Sequence, residues 1–218
     1  MKLLEVLAIT TITLVVFAAQ TKGITDRKCG SQGDIVFVLD ESGSIGLNNF
    51  KSMLSFVKDI VKKFVVNKKQ IQFGLVTYSS GVDTDFRLNT YSNTQSILNA
   101  LGRVGYFGGG TNTAGALQYL RTTSFSSVYG HRPGVPKLAI VITDGTSNNY
   151  EDTKRQAQLA HSKGIKVMAI GVGGGTNQQE LHDIASDPDS KFLFDLNSFS
   201  ALGAIKNQLA DILCREVW

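Results

Sequence analysis

Two hydrophobic periodicities alternate along the chain from residue 34 onward. Continuous apolar runs bounded by polar residues are typical of strands that are covered on both faces of a sheet. Such runs are found at 34–40, 71–78, 137–143 and 166–172. Between them the apolar residues recur at helical spacing, as at Met53, Val57 and Ile60. This alternation predicts an α/β fold with a doubly wound, mostly parallel central sheet and helices on both faces.

Weaker patterns complete the predicted set of elements. Residues 83–88 alternate like an exposed, antiparallel edge strand, and 192–196 form a last strand. The predicted helices span 50–64, 94–104, 112–122, 150–163, 177–185 and 199–213. Ser92 or Thr94 could cap the second of these helices and Ser198 the last. No repeat or low-complexity linker divides the chain, so we predict a single domain over 29–214 with a short tail at 215–218.

The first 23 residues have the pattern of a secretory signal. Lys2 precedes an apolar run at 6–19 that is short and rich in Thr for a membrane span. Small residues follow, so cleavage is predicted between about residue 18 and residue 23. The alternative is an uncleaved anchor. We therefore predict a secreted protein of the extracellular matrix.

Secretion changes the meaning of the two cysteines. Cys29 precedes the first predicted strand, and Cys214 lies four residues from the last residue of the sequence. In an oxidising compartment, two cysteines that bracket a domain are expected to form a disulfide. Closing a loop of about 185 residues would stabilise the fold by roughly 5 kcal/mol. Pairing between two chains is the alternative.

The charge pattern argues against nucleic acid as a partner. The chain has a formal net charge of +4, and its hydrophobic and charged fractions of 42% and 18% are those of an ordinary globular domain. Lysines cluster only near the end of the first helix, at positions 62, 63, 68 and 69. A solvated face explains this cluster better than nucleic-acid binding. The sequence also shows no lipid-anchor signal, so no membrane anchor is predicted.

Three loops that follow or precede core elements are rich in oxygen ligands. Asp40, Ser42 and Ser44 come directly after a strand, Thr111 opens a helix after three glycines, and Asp144 ends another strand. In open parallel sheets, binding sites lie at the carboxyl ends of the strands. Carboxylates and hydroxyls without neighbouring cysteine or histidine suit a hard divalent cation, with Mg²⁺ preferred and Mn²⁺ or Ca²⁺ possible.

The number of carboxylates indicates what the ion would do. Asp40 and Asp144 roughly neutralise one divalent cation, and the hydroxyls add no charge. Such an ion would stay electrophilic and keep a coordination position for an outside anion. Taken one at a time, these residues could equally be helix caps or turn residues.

The order and spacing of these residues resemble the metal-ion-dependent adhesion site of von Willebrand factor type A domains. The Asp-x-Ser-x-Ser loop, the glycine-loop Thr and the strand-ending Asp are all present. The stretch 108–117 looks especially like matrilin and collagen VI modules, and the flanking cysteines resemble those that tie the ends of some such domains. The resemblance implies that Ser42, Ser44 and Thr111 contact the metal, while Asp40 and Asp144 bind it directly or through water. It also implies cation-dependent adhesion completed by a partner carboxylate.

Enzymatic alternatives find little support. No Gly-x-Ser-x-Gly elbow occurs, and the glycine stretches lack the spacing of nucleotide loops. The histidines at 131, 161 and 182 are interpreted as solvated surface residues, so no general base is nominated. We therefore predict that the protein is not an enzyme.

Three non-enzymatic functions remain open. The first is an adhesion module that binds collagen or another matrix protein, and the second is a structural or biomineral-associated matrix protein. A soluble recognition protein is the third. A lone module is monovalent at its metal, so bridging requires self-association or a second contact surface. A disulfide at the last helix would restrict the helix shift known in integrin inserted domains, which predicts a largely preformed site.

Overall fold

Six strands form one sheet that is parallel except at one edge. The computed structural model describes Cys29 and residues 31–217; the predicted signal segment lies outside these residues. The strands are β1 Gly33–Asp40, β2 Ile71–Tyr78, β3 Val82–Phe86, β4 Lys137–Thr143, β5 Ile165–Val172 and β6 Leu193–Leu196. Their order is β3-β2-β1-β4-β5-β6, and only β3 runs antiparallel to its neighbour. This confirms the predicted sheet and its edge strand.

The strand order reverses beside β1. The chain moves from β1 outward through β2 to β3 and then returns to place β4 on the other side of β1. The carboxyl ends of β1 and β4 therefore lie side by side at the topological switch point, where open α/β sheets bind their ligands. Asp40 and Thr143 are the last residues of these two strands.

Helices cover both faces of the sheet. They are α1 Gly46–Val61, α2 Thr94–Leu101, α3 Thr113–Tyr119, α4 Tyr150–Ser162, α5 Gln178–Ile184, α6 Asp189–Phe192 and α7 Leu202–Glu216. The first helix packs against α7 and α2, whereas α4 packs between α3 and α5. Strands β1 and β2 are buried along their whole length, which explains their unbroken apolar runs.

Several predicted helix boundaries were wrong, and capping explains most of the differences. Asn93, not Ser92 or Thr94, caps α2, since its side chain accepts a hydrogen bond from the backbone N–H of Ser96. That helix ends at Leu101 rather than at residue 104. Ser198 makes no capping hydrogen bond, and a single turn of 3-10 helix at Phe199–Ala201 precedes α7. After α3 the chain continues as a π-helical turn at Leu120–Ser124.

A disulfide joins the two ends of the described domain. Cys29 and Cys214 are bonded, with their Cα atoms 5.7 Å apart. The bond links the segment before β1 to the last turns of α7, as the intrachain pairing required. In the part of the chain that the structure describes, no helix is long and apolar enough to cross a membrane.

Candidate metal centre

Asp40 is a buried carboxylate held by neutral donors. Its side chain accepts a hydrogen bond from the backbone N–H of Ser42 at 2.8 Å and another from the Thr143 hydroxyl at 2.6 Å. Burial raises the pKa of Asp40, and hydrogen bonds from Thr143 and from the side chain and backbone of Ser42 only partly oppose the rise. Among the described residues, no cationic side chain lies within ion-pair distance of Asp40. A divalent ion here would supply the missing positive charge.

Three further oxygen ligands form a continuous chain beside Asp40. The Ser42 and Ser44 hydroxyl oxygens are 3.1 Å apart, and the Ser44 hydroxyl donates to Oδ1 of Asp144 at 2.7 Å. Neighbouring oxygens around an octahedral Mg²⁺ are about 3 Å apart, since each lies ~2.1 Å from the ion. The observed separations therefore fit a shared cation. Burial also raises the pKa of Asp144, and the hydrogen bond from the Ser44 hydroxyl opposes the rise.

Backbone hydrogen bonds bring the Thr111 loop to both carboxylate loops. Asn148, four residues after Asp144, accepts from the Thr111 N–H at 3.1 Å and donates its own N–H to the Thr111 carbonyl at 2.8 Å. On the other side, the Gly43 N–H donates to the Gly109 carbonyl at 2.9 Å. In the described part of the chain, no hydrogen bond involves the Thr111 hydroxyl, which leaves it available to a ligand.

Glycine is required where the Thr111 loop approaches β2. Gly109 has a φ of +121°, and a Cβ added there would meet Oγ of Ser80 at 3.0 Å. A side chain at this position would be strained both by the backbone conformation and by contact. Gly109 therefore permits the close approach of the Thr111 loop to the residues that follow β2.

Four supporting residues were not predicted from the sequence. The Tyr106 hydroxyl donates to the Ser42 carbonyl at 2.9 Å and accepts from the Gly46 N–H at 3.1 Å, so it braces the first loop. Asn148 and Thr143 act as described above. Glu180, on α5, is buried and accepts from the N–H of Ser147, which holds the Asp144 loop against that helix. Only Thr143 had a visible signal, because it is a polar residue at the end of an apolar strand.

The histidines lie outside this site. His131 was predicted to be solvated, but its Nδ1 lies 2.8 Å from the buried Asp34 carboxylate and only 17% of its side chain is exposed. That prediction was wrong, because His131, in the loop before β4, contacts the buried Asp34 at the opposite end of β1. Within the described residues, no cluster of three His, Cys, Asp or Glu side chains could hold a metal ion. The candidate site instead combines two carboxylates with hydroxyls, which suits a hard cation.

Comparison with known proteins decides the family. The family model of the von Willebrand factor type A domain matches residues 34–208, which include all six strands apart from Gly33 and the first half of α7. The chain belongs to the von Willebrand factor type A domain family. This type A domain is 38% identical to chicken matrilin-1 over 204 residues, covering 92% of the chain and 41% of matrilin-1. It is 34% identical to the collagen α-1(XII) chain of the newt Notophthalmus viridescens, covering 86% of the chain and 20% of the collagen.

A solved structure of similar fold comes from the mussel byssus. Proximal thread matrix protein 1, with a zinc-occupied MIDAS motif, superposes with a TM-score of 0.81 at 32% identity. The match covers 87% of the type A domain chain and 50% of the mussel protein. The chain thus spans half or less of the length of these relatives. They are proteins of the extracellular matrix and not enzymes, which confirms the predicted location and the non-enzymatic class.

Proposed function

We propose that the type A domain binds a carboxylate of a matrix protein through a divalent cation held by Asp40, Ser42, Ser44, Thr111 and Asp144. The observation that carries this proposal is the contact chain from Ser42 through Ser44 to Asp144, beside a buried Asp40 that no internal cation neutralises. When bound, the ion would act as a Lewis acid toward the partner's carboxylate.

The ligand set favours Mg²⁺ over softer metals. All five proposed ligands offer oxygen, and two carboxylates leave a divalent ion no surplus of negative charge. A partner Asp or Glu would then add a favourable third anion. The zinc in the mussel relative supports a divalent metal at the equivalent motif; Mg²⁺ as the cation of this chain is our proposal.

The surroundings of the site indicate what else the partner carries. Phe107 is 83% exposed, and its backbone N–H donates to Glu41 at 3.3 Å, so it lies beside the Asp40 loop. Leu47, at the start of α1, is 49% exposed. Aromatic side chains that are held exposed at a rigid rim are frequent anchors of protein interfaces. We therefore propose that the partner's acidic residue is flanked by an apolar side chain that contacts Phe107.

Binding to immobilised collagens and matrix proteins in Mg²⁺ and in EDTA tests the proposal. We expect binding in Mg²⁺ and its loss both in EDTA and in the Asp144→Ala variant, which removes a ligand from an exposed loop. Asp152→Ala removes an exposed carboxylate of α4 and is the matched control, with binding unchanged.

Folding must be followed in parallel by circular dichroism. Retained folding in EDTA together with lost binding supports adhesion through the metal. Matrix binding that ignores EDTA would contradict the proposal, and unfolding of the domain upon metal removal would instead assign the ion a structural role.

A further inference from the structure

The amino-end edge of the sheet carries a second feature that the metal site does not explain. Four exposed lysines flank Phe64 and the turn before β2, and we call them the basic edge: Lys62, Lys63, Lys68 and Lys69. They lie at the ends of strands opposite to Asp40 and Asp144, because the parallel strands all begin at this edge. The two features therefore face away from each other.

Internal carboxylates do not neutralise most of this charge. Asp59 lies 3.4 Å from both Lys62 and Lys206, and Asp34 and Glu216 are occupied by other cations. Among the described residues, no carboxylate lies within 4.0 Å of Lys63, Lys68 or Lys69. Lys62 follows the last turn of α1, where a cation interacts favourably with the carboxyl end of the helix. This interaction does not account for the charges at 68 and 69, because those lysines lie beyond the helix.

The backbone that carries these lysines is held in place. The Asn67 side chain accepts from the N–H of Lys69 at 2.8 Å and from that of Gln70 at 2.9 Å, which closes the turn. The Arg132 guanidinium donates to the Lys68 carbonyl at 3.0 Å and to the Gln70 carbonyl at 2.7 Å.

The disulfide holds the other half of the basic edge. The Cys29 N–H donates to the Lys63 carbonyl at 3.1 Å, and the Val65 N–H donates to the Cys29 carbonyl at 2.9 Å. The backbone of the basic edge is thus held in place, so that little ordering of the main chain is needed on binding.

We propose that the basic edge binds a sulfated glycosaminoglycan chain of the extracellular matrix. Compact, mobile ammonium groups interact with sulfates as point charges and do not require the bidentate geometry that arginine provides. Short lysine-rich segments are typical of heparin-binding patches. The matrix location supplies a sulfated polyanion, whereas nucleic acid is absent from that compartment in bulk. A second binding face would also let a domain with one metal site bridge two partners.

Heparin affinity measured by titration in EDTA tests this proposal independently of the metal site. We compare wild type with Lys63→Gln/Lys68→Gln/Lys69→Gln and with a control that loses the same charge elsewhere, Lys51→Gln/Arg103→Gln/Arg155→Gln. We expect the first variant to bind at least about tenfold more weakly and to show a shallower salt dependence, while the control changes affinity by less than about twofold.

Two further probes complete the test. Desulfated heparin should bind far more weakly than heparin, and Asp144→Ala should bind heparin as wild type does. Equal losses in the two triple variants would assign the binding to net charge and overturn the proposal. Undiminished binding of the Lys63/Lys68/Lys69 variant would also overturn it, as would preference for a single-stranded oligonucleotide over heparin.

Discussion

Strand β1 carries a buried aspartate near each end, and the two carboxylates have different partners. The side chain of Asp34 is fully buried and is paired with Arg132, with Oδ1 2.7 Å from the guanidinium, and with His131. Asp40, six residues further on, is equally buried, but its hydrogen-bond partners among the described residues are the neutral Ser42 and Thr143. A buried carboxylate needs a cation, or its pKa rises. The protein supplies that cation itself at one end, and we propose that a bound divalent ion supplies it at the other.

The same contrast extends to the two edges of the sheet. The amino-end edge is fixed by a disulfide and by ion pairs between chain segments far apart in sequence, including Lys166 and Lys191 with Glu216. At the carboxyl-end edge, the loops around the candidate metal site contact each other through hydrogen bonds, including the two between Thr111 and Asn148. These covalent and ionic links therefore lie at the edge opposite to the candidate metal site.

The substitution Arg132→Ala is expected to lower the free energy of unfolding more than any other change proposed for this domain. The variant leaves Asp34 buried without its guanidinium partner, which costs about 3–5 kcal/mol when a buried pair loses one member. Urea unfolding measures the loss. Arg155→Ala, which removes an exposed cation of α4, is expected to change stability by less than about 0.5 kcal/mol. Equal effects of the two substitutions would show that Asp34 does not need its partner.

Removing the disulfide is the next largest perturbation. Cys29→Ser/Cys214→Ser should lower the free energy of unfolding by about 2–5 kcal/mol, since the bond closes a loop of 185 residues. Affinity for a matrix ligand in Mg²⁺ should change little, because the hydrogen bonds of the metal loops do not involve α7. A large gain in ligand affinity would contradict a preformed site and indicate that the bond restrains a helix shift.

The ion pairs of Glu216 predict that the stability of the amino-end edge depends on pH. Burial alone would raise its pKa, but hydrogen bonds and charge from Lys166 and Lys191 lower the pKa below its ordinary value of 4.5. The pairing thus stabilises the fold fully above pH 4.5, and this contribution is lost as pH falls through the lowered pKa of the folded state. Glu216→Gln should lower the free energy of unfolding by about 1 kcal/mol at pH 7, a modest figure because both lysines are partly exposed. The loss should be smaller at pH 3, because the pairing weakens as the carboxylate is protonated. A cost independent of pH would assign the effect to packing.

The smallest effect on stability is expected at Phe107. Its side chain is 83% exposed, so Phe107→Ala should change the free energy of unfolding by less than about 0.5 kcal/mol. Metal affinity should also remain unchanged, while binding of a matrix ligand weakens about tenfold if the ring is an anchor. Val128→Ala removes another exposed apolar side chain, 72% exposed, and should leave ligand binding intact. Unchanged ligand binding by Phe107→Ala would exclude this ring from the interface.

The sheet could be predicted from sequence because burial on two faces leaves a direct pattern. Strands β2 and β4 match their apolar runs residue for residue. Helix ends were predicted less well, since Ser, Thr and Asn near a boundary compete for one capping position, and Asn93 holds it here. Edge strand β3 ends at Phe86 instead of residue 88, because a partly exposed strand is limited by pairing with one neighbour.

The candidate ligands could be proposed from sequence, but their supports could not. Asp40 and Asp144 follow apolar strands at the expected edge, and loop order indicated Thr111. Tyr106 and Asn148 contribute through contacts with loops 37 to 64 residues away, and no local pattern records such contacts. The basic edge shows the same limit: its lysines are visible in the sequence, but the bonds from Arg132 and Cys29 that hold their backbone are not.

Calorimetric titration with Mg²⁺ tests most directly whether Asp40 relies on an external cation. We expect one saturable ion per wild-type domain, and loss of binding in Ser42→Ala/Ser44→Ala, which removes two hydroxyls and leaves both carboxylates in place. Ser198→Ala/Ser200→Ala, at an exposed hydroxyl pair 2.8 Å apart, is the control and should bind as wild type does. Absence of saturable Mg²⁺ binding to the folded domain, or equal binding by the two double variants, would contradict the account.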